Sequence, residues 1–351
     1  DLGSLSFVLL NEVLHFLMTY LSSLTNLTFQ FFLPTGWWIS VAYFACLAFS
    51  IILWRVKGVV ASIAVVMAVS FLLTNRRFAL QDQLVVFDAG QGLALLLAWN
   101  EKVWLYDTGP SARKSSVAGS TILPFLRSKN ASHKVQGIIV SHGDWDHAGG
   151  LVDLLSSIDV NYLWSGEADR LVEAGHQKPK SCIESMNWHS DAMKIEVLYP
   201  LKVRLGNKKK SSNNHSCVVL VTMRGFRFLL MGDLESEAEL ELVRHYKNAL
   251  KSDVLIAGHH GSNNASSYAL LKHVQPEYVV FSTGYSNRFG HPHKKVVERT
   301  KHFTSKIYNT AMTGALIFSV ELSESSKTEG LEINVKGIRG GESPFWILKG
   351  G

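Results

Sequence analysis

Residues 141–150, Ser-His-Gly-Asp-Trp-Asp-His-Ala-Gly-Gly, set four metal-capable side chains within six positions. His142, Asp144, Asp146 and His147 offer imidazole and carboxylate, the ligand types of Zn²⁺, Mn²⁺ and iron-like ions. At positions 1, 3, 5 and 6 of a loop they can face two adjacent centres. A polar turn whose aspartates cap a helix accounts for the carboxylates, but two histidines add nothing to a cap. The pattern points to a metal site. Trp145, inside the loop, has the chemistry to stack on a base, although packing against a neighbouring loop is the more ordinary role for it.

The loop leaves an apolar run, 135–140 (Val-Gln-Gly-Ile-Ile-Val), that reads as a buried strand. Ligands at the end of a strand are where α/β sheets build their sites. Further short apolar runs predict strands at 84–88, 93–98, 102–107, 194–198, 216–223, 226–231, 253–257, 277–282 and 314–320. Helical periodicity fits 149–157, 235–250 and 293–303. Many strands followed by strand–helix alternation predict an α/β layered domain with substantial buried sheets. Residues 321–351 are polar and contain glycine, which predicts an ending strand plus a tail.

The chain has 351 residues, is 47% apolar and 18% charged, and carries a net charge of +6. That composition excludes a disordered or low-complexity chain, which could not bury enough apolar surface to offset its ordering entropy. Charge is unevenly spread. Residues 1–80 hold only Asp1, Glu12, Arg55, Lys57, Arg76 and Arg77, and 13 of the 14 histidines lie beyond them. Residues 36–54 are uncharged, as are 58–73. A bilayer span takes about 20 apolar residues, so these runs predict membrane helices, with Trp37, Trp38 and Trp54 at the interfacial ends. Basic residues at both 55–57 and 76–77 leave the orientation undefined. The chain opens at Asp1 rather than Met, as a fragment of a longer protein would. The three cysteines, odd in number and without CxxC spacing, argue against a disulfide framework or a zinc ribbon.

The 141–150 segment resembles the first metal motif of the metallo-β-lactamase superfamily, usually HxHxDH, with Asp144 at the middle His position. Other segments resemble later parts of that family in the same order: Asp88–Ala94, Tyr106–Gly109, Met231-Gly232-Asp233, Gly258-His259-His260-Gly261-Ser262 and Phe289-Gly290-His291-Pro292. As a set, with Asn213-Asn214-His215-Ser216, they are most similar to the corresponding domain of ComEC-type DNA-internalisation proteins. The resemblance implies an αββα metallo-β-lactamase fold over 78–325, terminal transmembrane helices of a competence channel over 1–77, and a C-terminal strand or tail over 326–351.

By the same resemblance, His142, Asp144 and Asp233 hold one metal. Asp146, His147 and a closing histidine hold the other, and Asp233 bridges. His259 matches the closing position better, leaving His260 for substrate. His215 is not counted as a ligand. Asp144 in place of an imidazole makes the first site more oxygen-rich and favours Mn²⁺ or Mg²⁺ relative to Zn²⁺. Two divalent ions are implied, Mn²⁺ or Zn²⁺ foremost and Mg²⁺ next. A bound ion lowers the pKa of water from 15.7 to about 7, and paired ions clamp an in-line displacement. Asp146 is then the proton acceptor and His291 a donor to the leaving or developing oxyanion.

Ser262, Asn214 and Lys209 complete the expected substrate contacts. Lys209 belongs to Lys208-Lys209-Lys210, a run that suits a phosphate backbone. The implied function is DNA uptake across the cell (inner) membrane by a multi-pass protein. Its soluble domain acts as a metal-dependent nuclease on the strand that is not transported. Implied partners are DNA (single strand or duplex), the membrane and other DNA-uptake proteins. The alternative is a non-hydrolytic DNA-binding or channel-regulating module with a vestigial metal site.

Overall fold

In Leu84-Val85-Val86-Phe87 every side chain is apolar, the signature of a strand buried on both faces. Leu84 and Val86 point to one hydrophobic core, while Val85 and Phe87 point to another. The same two-sided alternation recurs along most of the chain. It produces the layering in the computed structural model, which describes residues 80–112, 115–173, 178–191, 193–202, 211–322 and 331–339. The expected membrane runs and Lys209 lie outside those residues. Among the described residues, no helix is long and apolar enough to cross a membrane.

The first half of the chain builds most of one sheet. Strands β1 (Gln83–Val86), β2 (Ala94–Trp99) and β3 (Lys102–Thr108) form an antiparallel meander. A small hairpin, β4 (Ser111–Ala112) with β5 (Ser115–Ser116), precedes helix α1 (Leu123–Ser128). Strand β6 (Val135–Val140) then pairs parallel to β3. After it come two short helices, α2 (Trp145–Ala148) and α3 (Leu151–Leu155). Strand β7 (Tyr162–Ser165), helix α4 (Ala168–Glu173) and strand β8 (Lys180–Ser181) extend the parallel half.

The second sheet follows. Strands β9 (Asn187–Ser190), β10 (Met193–Tyr199), β11 (Val218–Met223) and β12 (Phe226–Leu230) pair antiparallel. Helix α5 (Ser236–Tyr246), β13 (Val254–Ile256), α6 (Tyr268–Val274), β14 (Tyr278–Phe281), α7 (Lys294–Lys301) and β15 (Lys306–Asn309) continue in parallel β–α units. After α8 (Thr310–Thr313), β16 (Leu316–Leu322) and β17 (Leu331–Gly337) return to the first sheet. The orders are β17-β16-β1-β2-β3-β6-β7-β8 and β15-β14-β13-β12-β11-β10-β9.

Three cores result, giving the αββα sandwich that the resemblance implies. Between the sheets, Leu95, Leu97, Tyr106 and Ile139 meet Val197, Val219, Phe228 and Ile256. Outside the first sheet, Leu96, Leu105 and Ile138 pack with Ile122, Leu126 and Leu154. Outside the second, Leu229, Leu255 and Val279 pack with Leu242, Leu271 and Val296. Trp104 on β3 meets Trp164 of its own sheet (centroids 5.0 Å apart) and Trp188 of the other (5.4 Å). Such pairs add about 0.5–1.5 kcal/mol each beyond area burial. Gly137 on the neighbouring strand makes room, since a Cβ there would lie 2.5 Å from the Trp104 ring.

One reading is corrected. Cys182 and Cys217, 35 residues apart, form a disulfide with Cα atoms 5.8 Å apart. Spacing along the chain could not show it, because the two cysteines become neighbours only when the sheets pack. Cys182 follows β8, with its N–H on the Ser165 carbonyl, and Cys217 precedes β11. The strands absent from the expectation, β4, β5, β7, β8, β9 and β15, are short or rich in polar residues, so they lack a clear apolar period; the ending strand expected within 321–351 is β17.

Candidate metal centre

The parallel strands of both sheets end on the same side, and the loops that leave them build the site. The loop after β6 carries His142, Asp144, Asp146 and His147, and the turn after β12 carries Asp233. The turn after β13 carries His259 and His260, and the loop after β14 carries His291. Backbone geometry is specialised here. Gly232 has φ +55°, and a Cβ on it would lie 2.7 Å from the Ser141 Cβ and 3.0 Å from that of Ser216. Glycine is therefore what lets Asp233 approach the first sheet.

Asp146, His147, Asp233 and His260 each present one donor atom, all within 4.8 Å of one another. His147 Nε2 lies 3.1 Å from Asp233 Oδ1 and 3.2 Å from His260 Nε2. His260 Nε2 lies 3.2 Å from Asp146 Oδ2 and 3.6 Å from Asp233 Oδ2. His142, its ring centroid 4.4 Å from that of His147, is fully buried, with Nε2 at 3.3 Å from Asp144 Oδ2. His142 Nε2 and Asp233 Oδ1 are buried and make no well-aligned hydrogen bond; each faces only another side chain of the cluster, Asp144 and His147. An unpaired buried polar atom is costly, and two aimed into one cluster of carboxylate and imidazole fit a divalent cation. Asp144 stands at the N-cap of α2 but makes no capping bond, so the cap does not account for it.

The two adjacent histidines divide otherwise than expected from motif position. His260, not His259, enters the group of four. Both residues have positive φ, 47° and 54°, and this left-handed pair turns the second ring inward while leaving the first on the rim. His260 is buried, and its Nδ1–H donates to the Ser282 carbonyl at 2.9 Å. His259 is partly exposed, 3.8 Å from Asp233 Oδ2 and 3.4 Å from Glu235 Oε1.

The remaining expected residues are distributed around this group. Asn214 is buried and accepts the Glu235 N–H at 3.1 Å, and Ser262 Oγ donates to Asn264 at 2.6 Å; both are engaged by neighbouring chain. His215 donates Nδ1–H to the Ser211 carbonyl at 3.0 Å. His291 stacks against His260, with centroids 6.4 Å apart and planes 24° apart. Gln91 Nε2 lies 3.5 Å from His291 Nδ1, which leaves the ring proton on Nε2.

Two sets of supporting residues escaped the sequence reading. Asp107, in the Tyr106–Gly109 segment, was not among the expected site residues. It is fully buried with φ +57°, and its Oδ2 accepts His147 Nδ1–H at 2.8 Å. It also accepts the Ser141 N–H at 2.6 Å and the Ser141 hydroxyl at 2.8 Å. Such a carboxylate fixes the histidine tautomer so that Nε2 faces the metal. The available signal was an acid closing the apolar strand Val-Trp-Leu-Tyr before Thr-Gly. The second set has no sequence signal. Arg170 donates to Asp144 Oδ1 at 2.6 Å and to Glu167 at 2.9 Å, and Glu167 accepts the Gly143 N–H.

Charge is tightly balanced. Burial disfavours the charged forms of Asp233 and His147, yet the His147 and His260 charges hold Asp233 well below the usual carboxylate range. Asp233 and Asp107 in turn raise His147 well above the usual imidazole value. His260, also opposed by burial, is raised by Asp233 and Asp146. Asp146 is lowered against its burial by His260 and His147. Asp144 is lowered by the His142 ring beside it, against burial and with help from Arg170. His291 goes the other way: burial and the His259 and His260 charges push it down to about 4. It faces the centre as a neutral ring, a hydrogen-bond donor rather than an acid.

Residues 87–285 match the family model of the metallo-beta-lactamase superfamily. The chain belongs to that superfamily. Over 235 residues, 67% of the chain, it is 35% identical to Competence protein ComA of Neisseria gonorrhoeae, covering 32% of that protein. It is 35% identical over 232 residues, 66% of the chain, to Recombination protein 2 of Haemophilus influenzae, covering 28% of it. The chain thus spans about a third of the length of these relatives. With the superfamily match, they bear out the resemblance to the metallo-β-lactamase domain of ComEC-type competence proteins. Among solved structures, the metallo-beta-lactamase fold protein YhfI of Bacillus subtilis is similar at TM-score 0.42 and 13% identity. That likeness covers 65% of this chain and 95% of that one.

Proposed function

We propose that this domain is a metal-dependent phosphodiesterase of a membrane-embedded DNA-uptake protein, cutting the strand that is not transported. The observation that carries the reading is the convergence of Asp146, His147, Asp233 and His260, three of them buried, beside the buried His142 and its neighbour Asp144. Homology to competence proteins supports DNA as the substrate and the cell membrane as the place of work.

Asp146, His147, Asp233 and His260 would hold one ion, and His142, Asp144 and Asp233 a second. Divalent ions so bound supply Lewis acidity, polarising a phosphodiester and easing ionisation of a water. Asp107 keeps the His147 lone pair directed at the centre, and the Ser282 carbonyl does the same for His260. Asp146, held ionised, is the carboxylate suited to take the proton of the attacking water. His291 offers Nε2–H to charge developing on phosphate oxygens.

A second reading, a DNA-binding or channel-regulating module without turnover, draws on Arg170. Its bond to Asp144 competes with a cation for one oxygen of the second set. Incubation of the 351-residue chain with single- and double-stranded DNA and Mn²⁺, Mg²⁺ or Zn²⁺ decides between them. Nucleotide release that disappears in Asp233→Ala supports the phosphodiesterase. Salt-sensitive DNA binding with no release under any of the three metals overturns it.

A further inference from the structure

Large apolar side chains are mostly hidden in this domain, yet three stand open on the segments bordering the centre. Trp145 (57% exposed) lies between Asp144 and Asp146, and Tyr285 (49%) and Phe289 (53%) lie on the loop that carries His291. That loop is anchored to the opposite side of the site. The Gly284 N–H donates to Gln91 Oε1, and within the loop the Asn287 side-chain amide accepts the His291 backbone N–H and donates to the His291 carbonyl.

The rings form a column that runs inward. Phe289 stacks on His291, with centroids 5.7 Å and planes 25° apart, and His291 stacks on His260 at 24°. The Arg288 guanidinium lies 4.8 Å from the Phe289 ring centroid. The guanidinium sits over the ring, and a cation on a π face matches one nucleotide: the base takes the place of the guanidinium on the ring, and the guanidinium moves to pair with the phosphate. At the head of a column ending on His260, this pair would hold the nucleotide next to the one being cut.

We propose that Phe289, with Arg288, is the base-stacking platform of the site and makes unpaired strand the substrate. In a duplex the base faces are already stacked on their neighbours, and only an unpaired or unstacked nucleotide offers one to Phe289. The neighbouring lysines Lys294 and Lys295, on the first turn of α7, add positive charge on the same stretch of chain. The inference rests on the phosphodiester reading for its substrate, but stacking is measurable without turnover.

The test uses the 351-residue chain with chelator present and oligonucleotides carrying 2-aminopurine at successive positions. Anisotropy gives affinity, and quenching of the probe reports stacking. Unpaired strand is expected to bind about 5- to 150-fold more tightly than an abasic strand of the same length. Phe289→Ala erases that difference and the quenching, and Phe289→Trp restores both. Arg288→Gln lowers the slope of log affinity against log salt by about one. Equal affinity for abasic and base-bearing strands, duplex binding as tight as unpaired strand, or quenching untouched in Phe289→Ala overturns the platform. DNA hydrolysis indifferent to Phe289 defeats the platform and leaves the phosphodiesterase standing. Quenching lost in Phe289→Ala without hydrolysis under any metal does the reverse.

Discussion

Asp107→Asn isolates the least obvious part of the centre. Asp107 and His147 are both fully buried, so no water replaces a lost interaction. The carboxylate accepts three hydrogens, from His147 Nδ1, Ser141 N and Ser141 Oγ. An amide of the same shape cannot do so, because one of its two arms is a donor. If that donor faces His147, the ring shifts its proton to Nε2 and loses the lone pair the metal needs. If it faces Ser141, it meets an N–H. Either arrangement costs a buried hydrogen bond to a charged group, about 1.5–3 kcal/mol. Outer carboxylates of this kind contribute about 10- to 100-fold to metal affinity. We therefore expect Mn²⁺ or Zn²⁺ to bind Asp107→Asn about 30-fold more weakly, near 2 kcal/mol, in isothermal titration. The circular dichroism spectrum should be unchanged. Binding within threefold of the unsubstituted chain would refute the argument, since it would mean that the His147 tautomer is set by something other than Asp107.

Three further outcomes follow from the same geometry. His147 and His260 have raised pKa values and ligate only when neutral, so metal uptake at pH 7 releases one to two protons and weakens as pH falls; titration in buffers of different ionisation enthalpy counts them, and a count of zero contradicts the charge balance. Glu239 is fully buried, accepts the Ser266 and Ser267 N–H groups, and is pushed up from 4.5 to about 7, chiefly by burial. Its contribution is present below pH 4.5 and lost as pH rises to 7, about 3 kcal/mol in all. The difference in denaturation free energy between the native chain and Glu239→Gln should change by that amount across the window, and a flat difference rules it out. Removing the Cys182–Cys217 link, which closes a loop of 35-residue separation, should cost about 3–4 kcal/mol by chain entropy. Guanidinium unfolding of Cys182→Ser measures it, and an unchanged midpoint would count against the link.

Strands with a strong apolar run were readable in advance: 84–88, 102–107, 135–140 and 226–231 all fall on β1, β3, β6 and β12. Burial on both faces demands apolar side chains at every position, and that leaves a mark in one dimension. Edge strands such as β9 (Asn-Trp-His-Ser) and β15 (Lys-Ile-Tyr-Asn) bury too little to leave one. The dense ligand loop 142–147 was legible for a related reason. Four donors on one loop are close in space because they are close in the chain.

What the sequence determined by itself was the inventory: two-sided apolar strands, a loop of imidazole and carboxylate at a strand end, and further Asp and His motifs in a set order. Tertiary structure decided which atoms meet. His260 rather than His259 faces His147 because two consecutive left-handed residues reverse the chain there. Asp107 becomes a partner of His147 across a separation of 40 residues. Cys182 reaches Cys217, and Arg170 reaches Asp144, only once the strands are laid side by side. Patterning reports how much of a residue is buried, since burial acts on each side chain separately. Coordination and hydrogen bonding act on pairs, and a pair distant in the chain is defined only by the packed fold.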